Sequence, residues 1–186
     1  MKHVSRFWNY YVRVCQSNNI DSDEMYHKGK EFLLYYRDAC RMPGNLLAPD
    51  PYETAQEAIR QYEALEEILH TAGAGEVSAL LTDRRLSQKA LKEIMDETVN
   101  DFMNMGEEYR DYGGIINKKY MVLYSFTDTQ LMEMMGMGST TFYNKLREAT
   151  GLFILHMWSA VIPRRCRELR MTVMESRLHP LEAIYG

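Results

Sequence analysis

The sequence predicts an all-α fold, in which an N-terminal helical region is followed by a C-terminal helix-turn-helix domain. Nearly every segment places apolar residues three or four positions apart, which is the periodicity of a helix that buries one face. No segment shows a convincing alternation of apolar and polar residues, which would indicate strands. The chain has 186 residues, of which 46% are hydrophobic and 26% charged, and this composition is typical of an ordinary globular protein of one domain or two small ones.

Two helices are predicted before residue 43. The first has an apolar stripe and is stopped by the Ser-Asn-Asn run at 17–19. The Asp-Ser-Asp run at 21–23 offers N-cap side chains for the second helix, which we expect to end at about Met42. Prolines and a glycine then predict a loop over residues 43–51. The apolar stripe of the first helix consists of Val4, Phe7, Trp8, Tyr11, Val12 and Cys15.

A third helix is predicted over residues 52–72, ended by the Gly-Ala-Gly run at 73–75. Its apolar positions alternate steps of four and three, as in a coiled coil, over two heptads. Packing within the domain and dimerisation both explain such a seam, and both interpretations stay open at this point. The seam consists of Ala58, Tyr62, Leu65, Leu69 and Ala72.

The remainder of the N-terminal region is a short segment near residues 77–81 and a helix that Ser87 caps and that runs to about Met105. Gly113-Gly114 is the best candidate for a domain boundary. The predicted domains are therefore an acidic helical domain over residues 1–113, for assembly or partner contact, a helix-turn-helix domain over 114–178, and a C-terminal tail over 179–186.

Charge is distributed unevenly between these regions. The whole chain has a formal charge of −4. Residues 1–113 carry 13 basic and 20 acidic groups, a net charge of −7, whereas residues 114–186 carry 9 basic and 6 acidic groups, a net charge of +3. Because a polyanion is attracted by local charge, a nucleic-acid site is expected in the basic C-terminal part.

The sequence lacks the patterns that would predict an enzyme. The five histidines have no metal-binding spacing, and there is neither a phosphate-binding loop nor a Gly-x-Ser-x-Gly nucleophile turn. Asp96, Glu97 and Asp101 could gather carboxylates on one helix, but we expect them to form a solvated acidic face. We therefore expect no enzymatic activity, no catalytic residue, no metal and no cofactor.

The expected location is the cytoplasm. No apolar run approaches the roughly 20 residues of a membrane-spanning helix, and the N-terminus lacks the pattern of a secretion signal. Cys15, Cys40 and Cys166 are far apart, which predicts free, buried thiols in a reducing compartment rather than disulfides or a zinc site.

The C-terminal part contains the helix-turn-helix pattern. A helix over about 116–125 is followed by Thr127, which can cap the next helix over 128–135. Gly136 stands where that helix must end in a left-handed conformation, which glycine adopts without a side-chain penalty. Gly138 occupies a position where Ser or Thr often caps the second helix, so we expect Ser139 to cap it one residue later.

The second helix of the motif, over residues 140–147, has an apolar and a polar face. Phe142 and Leu146 lie four positions apart and would pack the second helix against the first. The opposite face suits base edges, because Asn pairs with adenine, Arg pairs with guanine and Thr contacts the thymine methyl group. Ser139, Thr141 and the amides of the first turn could bind phosphate. The outward face consists of Thr140, Tyr143, Asn144 and Arg147.

Further basic residues follow this motif. The apolar stretch 151–158 is expected to back the motif or to join the two halves of the chain. Pro163 can open another helix at its first turn. Arg164, Arg165 and Arg167 come directly after it and form either a solvated basic face or a phosphate clamp beside the recognition helix.

The segment from Lys118 to about Trp158 resembles the ArpU/RinA-type phage transcriptional regulators, whose C-terminal part is similar to region 4 of sigma factors. The resemblance implies a sigma-region-4-like helix-turn-helix and a protein that activates late or lytic genes of a phage or prophage in a bacterial cytoplasm. It also includes Lys145 in the expected DNA-binding segment. The shared residues are Leu123, Tyr124, Thr127, Asp128, Met135, Gly136, Ser139, Tyr143, Lys145, Arg147 and Ala149.

These observations predict a sequence-specific DNA-binding transcriptional regulator, an activator that works as a homo-oligomer on double-stranded DNA. Bacterial RNA polymerase is a second candidate partner, and no membrane is involved. Dimerisation is expected because two recognition helices double the base contacts of one. Two alternatives stay open: a DNA-binding phage assembly or packaging protein similar to a small terminase subunit, and a helical adaptor that binds only protein.

Overall fold

The computed structural model describes residues 5–41, 55–83, 88–122, 124 and 126–178, with the backbone alone for residues 39–41, 83, 88–89 and 176–178. This part of the chain is helical and contains no strand, which confirms the predicted all-α fold. None of its helices is both long and apolar enough to cross a lipid bilayer. The α-helices in these residues are α1 Arg6–Ser17, α2 Ser22–Arg41, α3 Ala55–Thr71, α4 Val77–Asp83, α5 Gln88–Asn104, α6 Glu107–Ile116, α7 Asp128–Met135, α8 Ser139–His156 and α9 Ile162–Leu178.

The N-terminal helices begin and end close to the predicted residues. The Ser5 side chain caps α1 by accepting a hydrogen bond from the Trp8 backbone N–H at 3.2 Å. In the predicted stripe of α1, Tyr11 and Cys15 are fully buried. Asp21 Oδ1 accepts a hydrogen bond from the Glu24 backbone N–H at 2.7 Å, as expected of a cap at the start of α2. Val4, the predicted loop 43–51, the Ser87 cap and the tail 179–186 lie outside the described residues.

The apolar seam of α3 packs inside the molecule. Every residue of the seam is at most 2% exposed. Helix α3 lies against α9 and also contacts α4 and α5. Packing within the chain therefore accounts for the coiled-coil-like spacing, and the seam is not available as a dimer surface.

Helix α8 is the central element of the core. All residues from Ala149 to Leu155 are buried, which is typical of a helix segment surrounded on every side. Helices α1, α2, α5 and α6 all contact α8. The apolar stretch that begins at residue 151 thus joins the two halves of the chain, one of the two roles expected of it.

Two helix-interior glycines allow the N-terminal helices to approach α8 closely. A Cβ atom on Gly29 of α2 would lie 2.7 Å from Ile154 Cβ. A Cβ atom on Gly151 of α8 would lie 3.2 Å from Trp8 Cζ3 and 3.3 Å from Tyr11 Cε1. Glycine weakens a helix interior, but the absence of its side chain allows side chains of one helix to lie against the backbone of another.

The predicted boundary at Gly113-Gly114 lies inside α6 and is not a linker. A Cβ atom on Gly113 would lie 3.1 Å from Phe102 Cβ and 3.2 Å from Met103 Sδ. This glycine therefore serves the packing of α6 on α5. The predicted helix over 116–125 also differs from the structure: α6 begins at Glu107 and continues into a π-helical turn, Asn117–Met121. One hydrophobic cluster contains residues from both sides of the predicted boundary.

Helices α8 and α9 form one continuous helical path. A π-helical turn, Met157–Val161, joins them, and Ile162 keeps a helical backbone at φ −58° and ψ −50°. Pro163 lies in the first turn of α9, as predicted, but no break precedes it. A proline ring clashes with the carbonyl four residues earlier in a regular α-helix, and a π-helical turn, in which hydrogen bonds span five residues, lies just before Pro163.

We predict opposite effects for the same substitution at two helical glycines. Gly29→Ala should lower the free energy of unfolding by about 1–3 kcal/mol, because the new methyl group would meet the buried Cβ of Ile154. Gly114→Ala should raise it by up to about 1 kcal/mol, because a Cβ there meets nothing within 4 Å and alanine favours a helix. Urea unfolding of both variants measures these differences. Equal effects would contradict the close packing of α2 on α8.

Candidate nucleic-acid interface

Helix α7 begins with a complete capping box. Thr127 Oγ1 accepts a hydrogen bond from the Gln130 backbone N–H at 3.2 Å, and Gln130 Oε1 accepts one from the Thr127 backbone N–H at 2.9 Å. This arrangement satisfies two amides that would otherwise lack partners at the helix start. It confirms the predicted cap and fixes the residue at which α7 begins.

The turn after α7 depends on Gly136. This residue has φ +61° and ψ +34°, the left-handed conformation predicted for it. The Met137 backbone N–H then donates to the Met132 carbonyl at 2.9 Å, which closes the end of the helix. A Cβ on Gly136 would meet nothing within 4 Å, so the backbone conformation alone favours glycine here.

The prediction that Ser139 caps α8 is wrong. Gly138 is the N-cap residue, with an extended backbone at φ −70° and ψ 157°, and no side chain caps the helix. Ser139 already has the helical conformation, in which its side chain cannot take the cap position. The first turn of α8 therefore presents amides without a side-chain acceptor, together with the positive end of the helix dipole.

The first two turns of α8 have the predicted inward and outward faces. Phe142 is fully buried and Leu146 is half-buried. The outward positions form a continuous polar surface, which we call the α8 polar face. Its residues are exposed: Ser139, Thr140, Thr141, Tyr143 and Asn144.

Asp128 links the start of α7 to the α8 polar face. Its carboxylate forms an ion pair with Lys119, which lies in the π-helical turn after α6. The negative charge of Asp128 also raises the pKa of Tyr143, with smaller contributions from desolvation and from a hydrogen bond to the same carboxylate. The Tyr143 phenol is therefore protonated at neutral pH.

Two cations predicted to bind DNA are engaged with other helices. Lys145 Nζ lies 2.7 Å from Asp111 Oδ2 of α6. Arg147 lies against the N-terminal helices: its guanidinium carbon is 4.0 Å from the centre of the Trp8 ring, and its Nη2 is 3.4 Å from Asp23 Oδ1. Both ion pairs are solvent-exposed, so their contribution to stability is small.

The structure separates Arg164 and Arg165 from the α8 polar face. Because each helical residue advances the chain by about 1.5 Å, Arg164 lies roughly 30 Å along the helical path from Asn144. Its Nη2 donates to Glu97 Oε1 at 2.6 Å and to Asp101 Oδ2 at 2.8 Å. Arg165 pairs with the same Glu97. These arginines connect α9 to α5 rather than forming a clamp beside the motif.

Arg167 is exposed on α9, next to the paired arginines.

The α9–α5 ion pairs correct the expectation of a solvated acidic face on α5. Glu97 and Asp101 are only partly exposed and are paired, whereas Asp96 forms a surface ion pair with Lys92. Asp101 Oδ2 also lies 2.8 Å from His156 Nε2 at the end of α8.

The ion pairs around Asp101 determine its titration. Burial would raise the pKa of Asp101, but the hydrogen bonds and positive charges of Arg164 and His156 outweigh it and hold the pKa below its ordinary value. This carboxylate therefore stabilises the fold above its ordinary pKa, and its contribution is lost as the pH falls through the lower folded-state pKa.

The cysteine prediction is confirmed for the two thiols whose surroundings the structure describes. Cys15 and Cys166 are free and buried. Burial raises the pKa of the Cys166 thiol to about 11, so it stays protonated and unreactive. The Cys40 side chain lies outside the described residues.

No protein-family model matches this chain, and no curated protein or solved structure matches it significantly. The resemblance to the ArpU/RinA-type regulators rests on the residues of segment 118–158 alone.

We predict that Asp101→Asn lowers the free energy of unfolding by about 1.5–3 kcal/mol near neutral pH, because it removes a charged hydrogen-bond partner of Arg164. The difference from wild type should shrink as the pH falls from 3.8 through the lower folded-state pKa of Asp101, because the wild-type carboxylate then also becomes protonated. The matched control is Asp96→Asn, whose surface pair should contribute less than about 0.5 kcal/mol at any pH. Urea unfolding of both variants near neutral pH and below pH 3.8 measures these differences. A loss of stability in Asp101→Asn that does not depend on pH would contradict the proposed role of the Asp101 ion pairs.

Proposed function

We propose that this protein is a sequence-specific DNA-binding transcriptional regulator, an activator of phage or prophage late genes in a bacterial cytoplasm. It acts as a binding protein rather than as an enzyme. One observation carries the proposal: an exposed, polar and uncapped helix start follows a short helix and a left-handed glycine turn. That surface is the α8 polar face.

The shape and chemistry of this surface fit the major groove. An α-helix with its side chains is about 10–12 Å wide, and the major groove of B-DNA is about 12 Å wide. Asn144 can form two hydrogen bonds with adenine, and Thr140 can contact a thymine methyl group. Ser139, Thr141 and the first-turn amides of α8 then lie where they can bind the phosphates that border the groove.

The charge around the α8 polar face supports modest affinity for a single copy. Lys145 and Arg147 are exposed enough to reach phosphates, but each must leave a carboxylate partner to do so. Arg164 and Arg165 are not part of the proposed surface, because α5 neutralises them. A homo-oligomer that places two α8 polar faces on one duplex would double both the base contacts and the released counterions.

The proposed biological role comes from the resemblance to the ArpU/RinA-type regulators. Activation of late genes makes bacterial RNA polymerase a candidate partner, and the acidic N-terminal helices are the candidate surface for contact with it. The alternatives differ in their DNA binding: a packaging protein would bind DNA with little sequence preference, and an adaptor would not bind it.

Selection from random duplexes, followed by gel-shift titration of the purified full chain, tests the proposal. A consensus sequence that binds far more tightly than its scrambled form supports a regulator. Weak binding without a consensus favours the packaging protein, and absence of binding favours the adaptor. A promoter-fusion assay with the selected operator then tests activation.

We predict that Asn144→Ala weakens binding to the selected operator about 5- to 150-fold, because an Asn–adenine pair contributes about 1–3 kcal/mol. Binding to scrambled DNA should change little. The control is Asn100→Ala, which makes the same substitution at an exposed position of α5, remote from the motif. An Asn144→Ala variant with wild-type operator affinity would argue against the α8 polar face.

A further inference from the structure

Arg147 lies in a corner formed by three helices. Its guanidinium carbon is 4.0 Å from the centre of the Trp8 ring on α1 and 5.9 Å from that of Tyr26 on α2. Its Nη2 is 3.4 Å from Asp23 Oδ1, at the start of α2. We call these residues (Arg147, Trp8 and Asp23) the Arg147 site.

The Trp8 ring is held in place from several sides. It packs against Tyr11 with ring centres 4.8 Å apart and the ring planes tilted by 39°, and it meets Tyr26 edge-on at 6.2 Å. Gly151, one helical turn after Arg147, leaves room for the indole against the α8 backbone. The position of the Arg147 guanidinium is therefore set by the core packing of α1 on α8.

A guanidinium that stacks on an aromatic ring keeps its edge available for hydrogen bonds. The N–H groups along that edge match two oxygens of a carboxylate or a phosphate. In Arg147 one such group points to Asp23, but the distance of 3.4 Å is long for a charged hydrogen bond and the Asp23 side chain is 75% exposed. This weak, solvated pair can be replaced by a stronger anion.

The acidic residues at this corner have different partners. Asp21 caps α2 through the Glu24 backbone N–H, and the Glu24 side chain lies 3.1 Å from Lys28 Nζ. Asp23 is the carboxylate that faces Arg147. An approaching polyanion would meet this carboxylate first.

We propose that the Arg147 site binds a phosphate of the DNA backbone, which displaces Asp23, so that α1 and α2 form part of the DNA interface. This inference rests on the proposed function and deepens it. Arg147 lies about 10 Å along α8 from Thr140, at the end of the polar face, where a groove-bound helix passes the sugar-phosphate backbone. Trp8 is a positioning residue, and Arg147 contributes affinity rather than base discrimination.

The test is a double-mutant cycle with Asp23→Asn and Arg147→Ala, measured on the selected operator and its scrambled form at several salt concentrations. Arg147→Ala should weaken binding to both DNAs by the same factor and reduce the slope of log K against log salt by about one. Asp23→Asn should tighten binding to both by about 2- to 5-fold, because it removes the competing carboxylate. In the Arg147→Ala background, Asp23→Asn should have no further effect.

Substitutions of Trp8 test the positioning role. Trp8→Phe keeps an aromatic face and should retain binding near the wild-type level, whereas Trp8→Leu should weaken binding to both DNAs as Arg147→Ala does. Circular dichroism and urea unfolding report whether each variant is folded. Arg147→Lys, which keeps the charge without the planar group, should fall between wild type and Arg147→Ala.

The outcomes separate this inference from the proposed function. If Arg147→Ala weakens the operator complex and leaves scrambled DNA unchanged, Arg147 reads a base: the inference is overturned and the regulator proposal stands. If Asp23→Asn tightens binding equally with and without Arg147, Asp23 acts through its general charge and the Arg147 site is also overturned. If the wild-type chain binds neither DNA, both proposals fail.

Discussion

The structure depends on the complete burial of the second half of α8. Helices α1, α2, α5 and α6 contact α8, and Gly29 and Gly151 allow α2 and α1 to lie directly against residues 149–155. Because close-packed contacts of this kind tolerate little displacement, they hold the direction of the whole helix. The first two turns of α8 continue the same helix: Phe142 is buried on one side, and the α8 polar face is exposed on the other. A site that reads base edges needs such a fixed geometry.

The basic residues of α8 and α9 are paired differently. In α8, Lys145 and Arg147 form exposed ion pairs that a polyanion could replace. In the first turn of α9, Arg164 and Arg165 form partly buried ion pairs with Glu97 and Asp101, which anchor α9 on α5. The basic excess of residues 114–186 is thus partly structural, and net charge alone overstates the surface that could attract DNA. In the proposed DNA complex, the α8 polar face would obtain its specificity from hydrogen bonds and shape.

Sequence reasoning predicts most of the local features, with the Ser139 cap as an exception, and is wrong where a distant residue decides. Helix periodicity and the Thr127 cap depend on residues within one or two turns, and the conformation of Gly136 follows from its place after α7. Gly113 reads as a domain boundary in the sequence, because the reason for glycine at this position is the approach of Phe102 and Met103 from another helix. Glu97 was expected to face solvent because its partners lie on α9, far away in sequence. The one clue to the partial burial of Glu97 is its position on α5 beside Ile94 and Thr98, which are both buried.

The central claim is that the first two turns of α8 form the DNA-binding surface while the buried half of the same helix stays unchanged. The most direct measurement is an NMR titration of the isotopically labelled full chain with the selected operator duplex. Amide shift changes should concentrate in residues 138–147 and at the Trp8 indole N–H, with little change over 149–155. Changes centred on α3 and α9, or spread through the buried half of α8, would contradict it.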